Sequence, residues 1–262
     1  MEDGLAGSVA IITGAGSGIG RATARLLAER GAHVVLVGRR PGPLHAVAAE
    51  FAPDRVMAVP CDVVDAEAVR TCVDRVVDRF GRLDAAVNNA GTFGAFGPLH
   101  LDTDTNFDEV VNINLRGIWN CLRFQIAAMR RTGGGSIVNC ASVSGHIGHS
   151  HSPLYAATKH AVLGLTKSAA LQYAGDGIRV NAVSPGSTDT ELLRQLYGSA
   201  EAIAERGRRA PLGRVAAPIE VAEAAVWLAG QGASYVTGQT LVVDGGVTAG
   251  SLAPARTTAA HH

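Results

Sequence analysis

Lysine is almost missing from this sequence: of 23 basic side chains only Lys159 and Lys167 are ammonium groups, and the rest are arginines. Neither sign of charge prevails, because 23 acidic residues balance the 23 basic ones. That balance argues against a nucleic-acid binder and gives no pull toward anionic membranes. No apolar run approaches the ~20 residues that a spanning helix needs. The opening segment MEDGLAGSVAIITG is acidic where a secretory signal is basic, so a cytoplasmic protein is expected. Cys61, Cys72, Cys121 and Cys140 are far apart, form no C-x-x-C pair and sit in apolar stretches, which reads as buried reduced thiols ahead of disulfides or a metal site. With 47% hydrophobic and 18% charged residues there is ample material for a core. No long Pro/Gly/Ser linker and no short-period repeat divides the chain, so one domain spanning 1–262 is expected, with a flexible polar tail after about 248. Its partner is expected to be a small molecule.

What is present is a rhythm. Short β-branched runs (SVAIIT, HVVLVG, RVMAVP, LDAAVNN, GSIVNCAS, IRVNAVS, QTLVVDGG) alternate with longer amphipathic stretches, including a long helix near 105–131 and another near 218–229. Strands that lack polar alternation are buried on both faces, as in a parallel sheet between two helix layers. Strict alternation with helices implies right-handed crossovers and an α/β fold: a Rossmann-like doubly wound parallel sheet of about seven strands with helices on both faces. Between about 187 and 213 the rhythm breaks into an insertion of helical character, expected to act as a lid.

Three features point to chemistry. The first run ends in Thr13 and enters GAGSGIG, where Gly14, Gly16, Gly18 and Gly20, with Ser17 and Ile19 between them, precede a helix. Glycines between a strand and a helix N-terminus let backbone amides approach a pyrophosphate. The strict G-x-G-x-x-G spacing fails, leaving T-G-x-x-x-G-x-G, which by itself also suits a plain tight turn. About 20 residues on, where an acidic residue would bind the ribose hydroxyls of NAD, stand Gly38, Arg39 and Arg40; these suit the 2′-phosphate of NADP, so NADP(H) is favoured over NAD(H), the alternative being a solvated arginine pair. Finally, Tyr155 and Lys159 lie four apart in a helical stretch and therefore on one face. A neighbouring ammonium favours the phenolate, which is how a general acid/base for an alcohol or carbonyl is built.

Taken together, T-G-x-x-x-G-x-G at 13–20, N-N-A-G at 88–91, Ser142, Y-x-x-x-K at 155–159 and P-G at 185–186 resemble the short-chain dehydrogenase/reductase family, short single-domain type, from about residue 6 to 247. The resemblance implies an NAD(P)-dependent oxidoreductase of secondary alcohols and ketones, with Asn114, Ser142, Tyr155 and Lys159 as its catalytic tetrad. Tyr155 would exchange the proton, Ser142 hold the reacting oxygen, Lys159 lower the tyrosine pKa and bind the nicotinamide ribose, and Asn114 anchor a water. It further implies that Asp62 and Val63 flank the adenine, that Asn89, Ala90 and Gly91 line the ribose and phosphate side, and that Pro185, Gly186 and Thr188 meet the nicotinamide. Asp62 alternatively caps the following helix. The family also implies a homo-oligomer, a dimer or homotetramer, pairing the long helix and the Tyr155 helix. The alternative function is a catalytically silent NAD(P)-binding sensor or scaffold.

Substrate choice falls to the loops 92–99 and 143–154 and to the insertion from 187. Phe93, Phe96, Leu192, Leu193, Leu196 and Tyr197 suggest a partly apolar pocket, or equally lid and subunit packing. His146, His149 and His151 crowd the loop between Ser142 and Tyr155. They read either as surface histidines or, for His146 and His149, as substrate contacts; no cysteine or carboxylate completes a metal set.

Overall fold

The computed structural model describes residues 4–250, so all but the first positions of the tail expected after about 248 lie outside the described residues. The apolar runs form seven parallel strands: β1 (Val9–Thr13), β2 (His33–Gly38), β3 (Val56–Pro60), β4 (Ala85–Asn88), β5 (Gly135–Cys140), β6 (Ile178–Pro185) and β7 (Thr240–Val243). They lie side by side in the order β3-β2-β1-β4-β5-β6-β7. The chain first winds outward from β1 to β3 and then returns to start the other half at β4. A crevice therefore opens beyond the carboxyl ends of β1 and β4, where Thr13 faces Asn88 in register.

Helices cover both faces, and the period of two along each strand decides which layer a side chain meets. Val9, Ile11, Val35 and Val37 pack toward α3 (Ala66–Phe80), α5 (Gly117–Thr132) and α6 (Pro153–Tyr173). Ala10, Ile12, Val34 and Leu36 pack toward α1 (Gly18–Glu29), α2 (Pro41–Ala48) and α9 (Pro218–Ala229). Every residue of β1 is buried, which explains why the run shows no polar alternation. Cys61, Cys72, Cys121 and Cys140 are all buried and unbridged. Among the described residues no helix is long and apolar enough to cross a membrane.

One departure from the sequence reading matters for the site. The single long helix expected near 105–131 is α4 (Asp104–Val111), a π-helical turn at Asn112–Arg116, and α5. The wider turn falls where α5 begins against the segment that follows β3: a Cβ on Gly117 would come within 2.6 Å of Val63 Cγ2, so the helix enters in close contact there. The insertion at 187–213 contains two short helices, α7 (Glu191–Tyr197) and α8 (Ala200–Arg208). Thr190 caps the first by accepting from Leu193 N at 3.2 Å, and Ser199 caps the second by accepting from Ala202 N at 3.2 Å.

Candidate active site

A cavity of about 540 Å³ occupies the carboxyl edge of the sheet, and the loops after β1, β2, β4, β5 and β6 all reach it. At its floor Thr13 ties the crevice together. Its hydroxyl accepts from Asn89 N at 2.9 Å and from Ala90 N at 3.0 Å, while Asn89 Nδ2 donates to Thr13 O at 3.1 Å. The turn from β1 into α1 is shaped by absent side chains. Gly14 and Gly18 hold φ of 67° and 50°, in the left-handed region, and a Cβ on Gly20 would lie 2.3 Å from Gly14 O. Ser17, at the N-cap of α1, makes no side-chain cap, and no acidic residue sits in the first turn, so the helix amides stay available to an anion. Across from this turn Arg39 and Arg40 line the cavity, exposed, and neither guanidinium has a hydrogen bond or ion pair among the described residues. This cradle fits a dinucleotide with its phosphates at the N-terminus of α1.

At the opposite end stand Ser142, Tyr155 and Lys159, all lining the cavity. Ser142 follows β5 in extended backbone, and its hydroxyl accepts from Ser144 N at 3.1 Å, which fixes the oxygen at the head of a short 3-10 turn, Val143–Gly145. Lys159 is 3% exposed, and its ammonium donates to Cys140 O at 2.8 Å. It lies 5.5 Å from the centre of the Tyr155 ring. Burial depresses the Lys159 pKa, with the Cys140 thiol pulling the other way. Burial likewise raises the Tyr155 pKa above the ordinary phenol value, and the hydrogen bond with Ser142 lowers it in part. The sequence reading expected Lys159 to bring the phenol down. In this structure burial is the largest influence on the phenol, and Ser142 is the group that draws it down.

Asn114 does not line the cavity but sits directly behind it. It is fully buried in the π-helical turn, accepts from Thr92 N at 2.9 Å and donates to Thr92 O at 2.8 Å and to Thr158 Oγ1 at 3.3 Å. Thr158 in turn donates to Tyr155 O at 2.8 Å, so the amide clamps the loop after β4 to the helix that carries the tyrosine. A Cβ on Gly91 would stand 3.2 Å from Asn114 Oδ1 and 3.7 Å from Lys159 Nζ, which shows how closely the three converge.

Gly14, Ser17, Gly18, Ile19, Asn89, Ala90, Gly91, Pro185, Gly186 and Thr188 line the cavity as expected, as do Phe93, Phe96, His149 and Leu193. Gly16 and Gly20 support the turn from outside; a Cβ on Gly16 would press on Pro43 Cβ at 2.9 Å. Asp62 and Val63 lie beyond the cavity after β3. The Asp62 carboxylate accepts from Val64 N at 3.0 Å in a local turn, and the residue that caps α3 is Asp65, accepting from Glu67 N and Ala68 N at 2.9 and 3.1 Å. His146 is the clear displacement. It leaves the 3-10 turn away from the cavity, exposed, with its Nε2 3.0 Å from Ser184 Oγ, so the expectation of substrate contact is corrected. His151 pairs with its neighbour, Nδ1 2.7 Å from Ser150 Oγ.

Several site residues escaped the sequence reading. Thr92, Thr158 and the Cys140 carbonyl brace Asn114, Tyr155 and Lys159, and nothing in their type or spacing marks them. The substrate side is walled by an aromatic series: Tyr155 to Phe93 at 4.9 Å, Phe93 to Phe96 at 5.9 Å and Phe96 to His149 at 6.0 Å between ring centres. From the other side α7 and α8 contribute Leu192, Leu193, Leu196, Tyr197 and Arg206. Glu191 on α7 reaches Arg21 on α1 at 3.0 Å, joining the insertion to the glycine turn's helix. Among the described residues no group of three or more His, Cys, Asp or Glu is placed to hold a metal ion.

A family model described as enoyl-(acyl carrier protein) reductase matches residues 14–248. The A-factor type gamma-butyrolactone 1'-reductase (1S-forming) of Streptomyces virginiae is 45% identical over 248 residues, covering 93% of this chain and 96% of that protein. The cis-4-hydroxycyclohexanecarboxylate dehydrogenase of Sinomonas cyclohexanicum is 45% identical over 250 residues, covering 95% of this chain and all of that one, 100%. The crystal structure of levodione reductase superposes with a TM-score of 0.90 at 39% identity, covering 94% of this chain and 99% of the other.

Proposed function

The chain belongs to the short-chain dehydrogenase/reductase family, and from that premise we propose how its own residues carry out the reaction. The protein is an oxidoreductase that uses a nicotinamide cofactor and acts on alcohols and ketones. The observation that carries the residue-level reading is the placing of Tyr155, Ser142 and Lys159 at one end of a single cavity whose other end is a side-chain-free turn at a helix N-terminus.

When bound, the nicotinamide supplies or accepts a hydride. The backbone around Gly14–Gly20, at the N-terminus of α1, would hold the cofactor's phosphates, and Asn89–Gly91, Pro185, Gly186 and Thr188 would line its ribose and nicotinamide parts. Ser142 Oγ would hydrogen-bond the substrate oxygen and hold it beside Tyr155. In reduction the Tyr155 hydroxyl, kept protonated by burial, gives its proton to that oxygen. In oxidation the same oxygen takes the alcohol proton. Lys159 has two N–H donors left beside the one on Cys140 O, enough for the ribose hydroxyls. Asn114 acts through the Thr92 and Thr158 clamp as a positioning residue.

The cofactor is NADP(H) in preference to NAD(H): the two unpartnered guanidiniums after β2 offer charge-assisted hydrogen bonds to a 2′-phosphate. The substrate is an alicyclic secondary alcohol or ketone. Two relatives are named for ring compounds, a γ-butyrolactone and a cyclohexanecarboxylate, and the aromatic series beside Tyr155 suits an apolar ring. Residues 1–262 act as one dinucleotide-binding and catalytic unit, with 187–213 as its lid. The setting is cytoplasmic, in keeping with four unbridged thiols. A homo-oligomer, dimer or tetramer, is supported by the exposed Phe107 and Trp119 on α4 and α5 and Leu171 on α6.

The experiment is a spectrophotometric panel of cyclic ketones and alcohols, each with NADPH, NADH, NADP and NAD. Ketone-dependent oxidation of NADPH, faster than that of NADH, is expected. Preference for NADH overturns the arginine argument, and no turnover across the panel returns the silent binder.

A further inference from the structure

The insertion that roofs the cavity carries its arginines in a revealing pattern. Arg194 forks onto Asp189 through two hydrogen bonds of 2.8 Å, and Arg208 is paired with Glu205. Arg206 lies between such partners in sequence yet takes neither. It turns inward to line the cavity, and its Nε donates to Ser187 Oγ at 2.9 Å. Among the described residues its two Nη groups have no hydrogen-bond partner. Arg206 also borders a smaller neighbouring cavity of about 120 Å³, and the carboxylates of both are engaged elsewhere: Glu191 with Arg21 at 3.0 Å, Glu220 with Arg214 at 2.7 Å, and Asp244 with the Gly246 and Thr248 amides at 2.8 and 2.7 Å. Arg206 is therefore a half-buried cation with its planar donor edge unsatisfied, on the substrate side of the cavity, far along the chain from the Arg39 and Arg40 that serve the cofactor end.

Across from it the aromatic wall leads from Tyr155 through Phe93 and Phe96 to His149, whose Nδ1 is 3.0 Å from Ser152 Oγ. His149 and Arg206 are close enough that the guanidinium, after burial, helps hold the imidazole pKa below its usual value, so His149 is uncharged at neutral pH and adds no second cation. A substrate lying on this wall has its reacting oxygen at Tyr155, an apolar body on Phe93 and Phe96, and its far end toward Arg206. A guanidinium fork matches one group best at that end, a carboxylate held by two parallel hydrogen bonds.

We propose that Arg206 is a specificity residue that binds the carboxylate of the substrate, so that the preferred substrates are keto acids and hydroxy acids whose carboxylate is separated from the reacting carbon by an apolar ring or chain. This rests on the alcohol/ketone reading of the same cavity. Ser187 orients the fork through Nε and leaves both Nη groups to the ligand.

The test compares 4-oxocyclohexanecarboxylate with 4-methylcyclohexanone, both with NADPH, in the wild type, Arg206→Gln and Arg206→Lys. The ratio of kcat/KM for the acid over the neutral ketone is expected to exceed 1 in the wild type. It should fall by about 10- to 100-fold in Arg206→Gln, the range for a charge-assisted pair, and recover in part in Arg206→Lys. Binding of cyclohexanecarboxylate to the NADP-loaded protein, measured by calorimetry, should weaken by a similar factor in Arg206→Gln. An unchanged ratio, or an equal loss on both ketones, overturns the proposal and leaves the oxidoreductase reading standing. A comparable loss of NADPH affinity in Arg206→Gln also overturns it, by assigning the guanidinium to the cofactor. Arg206-dependent carboxylate binding without turnover of either ketone upholds the anion site and shifts the failure to the substrate reading.

Discussion

Among single residues, Tyr155 and Ser142 carry opposite weights. Burial pushes the phenol pKa up and Ser142 draws it down, so the group holds its proton in neutral solution and is ready to give it to a carbonyl oxygen. The sign for catalysis follows. Alcohol oxidation needs the phenolate and rises with pH toward the raised pKa; ketone reduction needs the phenol and falls only above it. Removing the hydrogen bond in Ser142→Ala takes away the downward pull. The rising limb of kcat/KM for alcohol oxidation should move to higher pH, and kcat should fall by roughly 10²- to 10³-fold through loss of the oxyanion-side donor. A pH–rate profile that keeps its limb in the wild-type position contradicts this. Much of the site was legible at this scale. Tyr155 and Lys159 stand out because lysine is so rare and because four residues make one helical turn. His146 misled, since a 3-10 turn at Val143–Gly145 decides where the loop points and no local pattern announces it. Arg206 was invisible for a different reason: its neighbours Arg208 and Arg209 have the same composition, and only the structure shows which one faces in.

Among elements, the π-helical turn does what a regular helix cannot. It pauses the chain between α4 and α5 and buries Asn114, whose amide satisfies both backbone groups of Thr92 and reaches the hydroxyl of Thr158. Asn114→Ala leaves the Thr92 N–H and C=O without partners at the cost of about 1–3 kcal/mol. For a chain of this size that corresponds to a fall in Tm of roughly 2–12 °C, measurable by calorimetry, and the loosened clamp should lower kcat more than it raises KM. A variant with wild-type Tm and kcat would show that the clamp is idle. The strands and most helices were legible because burial on both faces leaves uninterrupted β-branched runs and because periodicity marks the helices. The π turn was not. It sits where α5 approaches Val63 closely, and the single run 105–131 does not betray it.

At the scale of the whole molecule, the order β3-β2-β1-β4-β5-β6-β7 accounts for the position of everything else. Reversal at β1 and β4 makes the crevice, the glycine turn enters it from one half, and Ser142, Tyr155 and Lys159 enter from the other. The same order puts Arg39 and Arg40 at the far end of the cavity from Tyr155, so the proposed role in cofactor choice is tested apart from the chemistry. Arg39→Ala combined with Arg40→Ala should reduce kcat/KM for NADPH by about 10- to 100-fold and that for NADH far less; equal losses on both would remove the two arginines from phosphate recognition. Assembly is tested by light scattering, where a solution mass of at least twice 26.9 kDa is expected. Trp119→Glu, on an exposed face of α5, should lower that mass. A monomer at all concentrations contradicts the proposed oligomer.

Hydride transfer in this cavity, with Tyr155 moving the proton, is decided by one comparison: NADPH oxidation by 4-methylcyclohexanone with wild type and Tyr155→Phe, alongside the NADPH dissociation constant of each. Turnover by the wild type, a loss of roughly 10³-fold or more in kcat for the variant, and cofactor affinities within a few-fold of each other are expected. A variant that retains a tenth or more of the wild-type kcat would contradict it.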